Sequence, residues 1–110
     1  MRQVFLRAQS RDVANMFMRV ANSIRAMNDE RGSLPDISET DPQRLSFLVS
    51  AAMEIEGDMK QELLELRLTS ERLSRLRDLL ARVVGNYEER AKIHSIAKSN
   101  GHGGKKIDIE

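Results

Sequence analysis

The stretch from Asp41 to Leu80, DPQRLSFLVSAAMEIEGDMKQELLELRLTSERLSRLRDLL, constrains this chain most, because it carries three helix starts with almost no slack between them. Asp41 is suited to accept a backbone N–H as an N-cap, and Pro42 fits the first helical position, where its missing donor costs nothing. Gly57-Asp58 breaks the chain and restarts it, with Gln61 completing a capping-box-like pair. Thr69 reads as the cap of the next helix, with Glu71 well placed in its first turn. Strand-like alternation bounded by turn residues is missing, and the two prolines, Pro35 and Pro42, both sit near predicted boundaries. The expectation is an all-α protein: a four-helix bundle with a long first helix and a prolonged fourth.

From about Gln3 to Asn28, Leu6, Val13, Met16, Phe17, Val20, Ile24 and Met27 form one apolar stripe at helical spacing, with Val4, Ala14 and Met18 off it. Such a helix is only marginally stable alone and must bury its stripe. Residues 29–40 (DERGSLPDISET) connect it to the second helix. Gly32 is placed to close the first helix, and Leu34 and Ile37 to pin the loop. The second helix, Pro42 to about Glu54, gathers Leu45, Leu48, Val49 and Ala52 on one face and points Phe47 and Ala51 elsewhere, so it is expected to be the most buried. The third, Asp58 to about Leu66, aligns Met59, Leu63 and Leu66. The fourth starts at Thr69 or Ser70 and carries a heptad-like seam of Leu73, Leu76, Leu80, Val83 and Tyr87, with Glu71–Arg75 and Asp78–Arg82 as exposed i,i+4 pairs. Gly85 either ends this helix or is tolerated inside it; the helical residues that follow favour continuation to about Lys98. Two regions result: a helical domain over residues 1–98 and a flexible glycine-rich tail over 99–110.

Composition narrows the function. A net charge of +1 gives no strong nonspecific pull toward nucleic acid or acidic membranes. The arginines at 67, 72, 75, 77 and 82 are interleaved with carboxylates and lack an aromatic platform, which reads as a charge-laced helix face. No cysteine is present, so disulfide and thiolate chemistry are excluded. The two histidines, His94 and His102, fall short of the roughly four ligands of a zinc site. Gly101 to Lys106 lacks the spacing and the Ser/Thr of a phosphate loop. The carboxylates between Glu54 and Glu65 read as caps and solvated faces, and no serine has a His–Asp setting. No apolar run approaches the roughly 18 residues that span a bilayer, and the start is too polar for a secretory signal. A noncatalytic, cytoplasmic protein without cofactor or metal is the expectation.

Asp41-Pro42-Gln43-Arg44-Leu45, Met53-Glu54-Ile55, Lys60-Gln61-Glu62-Leu63-Leu64-Glu65 and Glu71-Arg72-Leu73 occur in that order within the central stretch. In order and spacing the set resembles the helical C-terminal half of the Lon substrate-binding domain, the N-terminal domain of Lon proteases. It departs in two places: Met-Glu-Ile stands where the family carries a Leu-Pro-Leu-like element, and Phe47 where the family is usually polar. The β-strand pseudo-barrel that precedes these helices in the family has no counterpart in this sequence, nor do the ATPase module and the Ser–Lys dyad. The resemblance implies engagement of unfolded or tagged protein segments destined for ATP-dependent proteolysis.

Methionine suits both irregular cores and adaptable apolar surfaces. Met16, Met27 and Met59 are expected in the core, whereas Met18 and Phe47 are the candidates for a substrate or partner surface. Leu80, Val83 and Tyr87 are candidates for contact with a second copy, should the seam continue past Gly85 and pair with another chain. Two readings follow: a recognition module with a groove near Met18 and Phe47, and a self-associating helical domain that dimerises through the fourth helix without a role in proteolysis.

Overall fold

The computed structural model describes the backbone of residues 2–32 and 34–108, and the side chains of residues 4–32 and 34–100. Four helices make up the described chain: α1 (Arg2–Met27), α2 (Pro42–Ala52), α3 (Gly57–Glu65) and α4 (Thr69–Asp108). The all-α bundle with long first and fourth helices is thus what the chain forms. At 40 residues α4 dominates the shape; with about 1.5 Å of rise per residue it accounts for most of the 65 Å long axis. It runs through Gly85 without a break and continues past Lys98. The side chains of the expected glycine-rich tail from Gly101 onward lie outside the described residues.

The two long helices run parallel. Gln9 Nε2 donates to the Ser70 carbonyl (3.4 Å), Asp12 meets Arg77 (4.0 Å), Arg19 meets Glu88 (2.7 Å), and Asp29 meets His94 (3.1 Å) and Lys98 (2.9 Å). Each step along α1 is matched by a step in the same direction along α4. Parallel neighbours need a long return, which the 28–41 loop and the two short helices supply. The core between them is aliphatic: Val13, Ala14 and Val20 from α1, Leu45 and Val49 from α2, Leu63 from α3, and Leu73, Leu76, Leu80 and Val84 from α4. Burial of this stripe provides the stabilisation that helix propensity alone cannot.

Several local expectations are corrected. Ala14, placed off the stripe, is fully buried, while Ile24, placed on it, is 38% exposed. α2 buries Leu45, Ser46, Val49 and Ser50; Leu48 is turned to solvent. The two serines can be buried because each hydroxyl is satisfied within the helix, Ser46 Oγ donating to the Gln43 carbonyl and Ser50 Oγ to that of Ser46, both at 2.7 Å. Met59 is exposed, because α3 turns only Leu63 fully inward. The first helix closes not at Gly32 but at Asp29, which takes the left-handed conformation at φ 56°. The Asp29 N–H then reaches the Ala26 carbonyl (3.1 Å) and the Glu30 N–H that of Arg25 (2.9 Å), the bonding of a Schellman cap. Asp41 caps α2 as expected, its Oδ2 accepting from the Arg44 N–H at 3.3 Å. α3 starts at Gly57 after Glu56 with no side-chain cap, and Gln61 turns forward to Glu65 (3.1 Å) rather than back. Arg75 pairs across to Glu62 (3.8 Å), not along its own helix to Glu71.

Candidate functional site

α2 ends at Ala52 with neither glycine nor proline to stop it. Met53 swings to ψ 135°, and Glu56 holds a similar extended angle of 140°. Between them the chain alternates: Met53 and Ile55 are half-buried against the core, and Glu54 and Glu56 are exposed. This is the period-two pattern of an extended segment, and it is the burial of Met53 and Ile55 that the extended path gains.

That segment forms one lip of an apolar groove of about 470 Å³. Phe17, Val20, Ala21 and Ile24 of α1 make one wall and Leu79, Leu80, Val83 and Tyr87 of α4 the other, with Leu34 of the long loop also lining it. A volume of this size lies within the usual range of ligand clefts. Only two lining residues carry charge, Arg25 and Glu54. Arg25 is already committed: its guanidinium pairs with Glu30 (3.3 Å) and donates to the carbonyls of Arg31 (2.8 Å) and Gly32 (3.4 Å). These bonds fasten the loop that carries Leu34, with Gly32 at φ 91° in the conformation that favours glycine.

Of the residues singled out from sequence, Leu80, Val83 and Tyr87 line this groove, and Met18 and Phe47 do not. Leu80 is 1% exposed, held in the core of its own chain, and offers almost no surface to a guest. Met18 is half-buried on α1. Phe47, 37% exposed, lies under the Arg72 guanidinium, whose carbon stands 3.9 Å from the ring centroid. Sequence reasoning missed Phe17, Ile24, Met53 and Ile55 as groove residues. The alternation Met-Glu-Ile-Glu was the legible signal for the last two.

Arg72 itself is the one buried cation among the described residues, at 2% exposure. Its Nε donates to the Leu63 carbonyl (2.9 Å), Nη1 to Ser46 Oγ (3.1 Å), and Nη2 to the Leu66 carbonyl. No carboxylate faces it, and burial pushes its pKa below the ordinary arginine value. It ties α2, the end of α3 and α4 together.

At the far end of α1, Asp29 accepts from both Lys98 and His94, and those bonds hold its carboxyl below the usual range. The two-pronged contact of Arg19 Nε and Nη2 with Glu88 (2.9 and 2.7 Å) likewise lowers Glu88 and raises Arg19. Near the start of α1, Ser10 Oγ is buried without a partner beside a polar cavity of about 230 Å³. Arg7 and Arg11 line it opposite Glu39 and Asp41, so the charges offset and the space suits water better than an ion. Among the described residues no three His, Asp or Glu side chains converge as metal ligands, and no helix is long and apolar enough to cross a membrane. No protein-family model, no curated protein and no solved structure matches this chain.

Proposed function

We propose that this chain is a noncatalytic recognition module that takes exposed apolar segments of unfolded or tagged proteins into the groove between α1 and α4. The groove carries the reading: its walls are almost wholly apolar, and Tyr87, Val83, Ile24 and Met53 are each accessible enough to be covered by a guest. Met53 at the lip has an unbranched, adaptable side chain, which suits low-specificity capture. The ordered motifs that resemble the helical half of the Lon substrate-binding domain add a context, delivery of the captured segment to an ATP-dependent protease in the cytoplasm. The site differs from the one expected at Met18 and Phe47, and the reading moves with it.

Methyl NMR tests it. Titration with a permanently unfolded model protein should shift the methyl signal of Met53 in the groove and leave that of Met59, outside it, in place. An unmoved Met53 signal at high micromolar concentrations of the unfolded protein sinks the proposal.

A second reading, self-association through α4, is favoured by Ile93 (56% exposed) and Ile96 (50% exposed), which lie near each other on α4 beyond the buried core. It no longer draws on Leu80, which its own bundle buries. A molar mass that rises with concentration and returns to the monomer value in Ile93→Glu would support it; a constant monomer mass would end it.

A further inference from the structure

The lip of the groove offers more than apolar contact. Glu54 and Ile55 lie outside any helix, between the extended residues Met53 and Glu56, and among the described residues no backbone–backbone hydrogen bond uses their N–H or C=O groups. Unpaired groups on an extended edge are a template for another extended chain. Glu54 is also the one charged groove residue left without an ion pair among the described residues, since Arg25 is bound to Glu30. The mouth of the groove therefore presents an unneutralised carboxylate beside an extended edge.

From this juxtaposition we infer that the guest is an extended apolar segment bearing a lysine or arginine, which pairs its main chain with Glu54 and Ile55 and sets its cation against the Glu54 carboxylate. The inference rests on the groove reading above and specifies its guest. Main-chain pairing supplies affinity that does not depend on sequence, as capture of many unfolded chains requires. The carboxylate then adds a preference without a strict motif, because an exposed ion pair contributes little. Apolar side chains that alternate along the guest would enter the groove on one side and face solvent on the other.

Three short capped peptides test it, with Tyr87 fluorescence as the signal: an apolar peptide of leucine, valine and threonine with a central lysine, the same peptide with glutamate, and the lysine peptide with alternate backbone nitrogens methylated. The lysine peptide should bind roughly three- to tenfold tighter than the glutamate one, with the order reversed in Glu54→Lys. Methylation of the edge that faces the lip should weaken binding roughly tenfold. Equal binding of all three peptides, unchanged in Glu54→Lys, would overturn this inference and leave the groove reading standing. Failure of every peptide, with an unfolded protein also failing to move the Met53 signal, would overturn both.

Discussion

Replacement of Arg72 by methionine probes how the bundle holds its short helices. Methionine keeps much of the side-chain volume and removes the charge. The hydrogen bonds to the Leu63 and Leu66 carbonyls and to Ser46 Oγ disappear together. Ser46 keeps a partner, since it still donates to the Gln43 carbonyl. The Leu63 carbonyl keeps the Leu66 N–H (3.3 Å), whereas the Leu66 carbonyl is left without a partner, at about 1–3 kcal/mol for a buried group, and the other two lost bonds cost about 1 kcal/mol each. Relief of the buried, carboxylate-free cation offsets part of this. A net loss of about 2–4 kcal/mol is expected, a large share of the roughly 5–15 kcal/mol that holds a domain together. With a urea slope of about 1–3 kcal/mol per molar, the unfolding midpoint followed by far-UV circular dichroism should fall by about 1–2 M. Arg72→Lys should still lose stability, because an ammonium cannot reach all three acceptors from one position. A midpoint for Arg72→Met within about 0.3 M of the parent would refute the assignment of Arg72 as the tie between α2, α3 and α4.

Gly85→Ala should stabilise the protein by about 1 kcal/mol, because α4 is continuous there and an added Cβ meets nothing within 4 Å; a loss in thermal unfolding would mean that Gly85 serves a bend. Ile24→Glu should abolish binding of unfolded protein while shifting the urea midpoint little, since this groove residue is already 38% exposed; retained binding would place the guest elsewhere. Asp29, Asp36 and Glu88 have lowered pKa values, Asp29 through Lys98 and His94, Asp36 through the Ser38 N–H, and Glu88 through Arg19. Their contribution is present above the ordinary carboxylate range and is lost as pH falls through the lowered folded values, so stability should drop below about pH 4. In Asp29→Asn the difference between urea midpoints at neutral and acid pH should shrink, and an unchanged difference would discount the Asp29 contact.

The start of α2 and the inner part of the α4 seam were legible in the sequence because each rests on local chemistry, whereas α3 begins without the cap read at Gly57-Asp58 and Thr69 is the first helical residue of α4 rather than its cap. Asp41-Pro42 is a cap and a fixed φ, and Leu73, Leu76 and Leu80 repeat at the helical period. What escaped depends on neighbours distant in sequence. Arg72 read as one of five surface arginines, yet it shares a helical face with Leu76, Leu79 and Val83, and that placement, with α2 and α3 above it, buries it. Leu48 and Met59 read as core because α2 and α3 were expected to be covered more fully than two short helices at the bundle's side can be. The groove assembles from α1, the long loop, the Met53–Ile55 lip and α4, so no single window of sequence contains it. Its α4 wall was found through the seam; its α1 wall follows from the parallel pairing of two long helices, which periodicity does not specify. Met18 and Phe47 were chosen for lying off the main stripes, but being off a stripe does not make two residues neighbours.

Tyr87 is the only tyrosine in a chain without tryptophan, and it lines the groove. Its emission therefore reports on the proposed site alone when the titrant is an unfolded polypeptide that lacks both residues. Groove capture predicts a saturable change in Tyr87 fluorescence that disappears in Ile24→Glu. Emission that stays constant while an independent measure, such as sedimentation, shows the two chains bound would contradict the groove as the site.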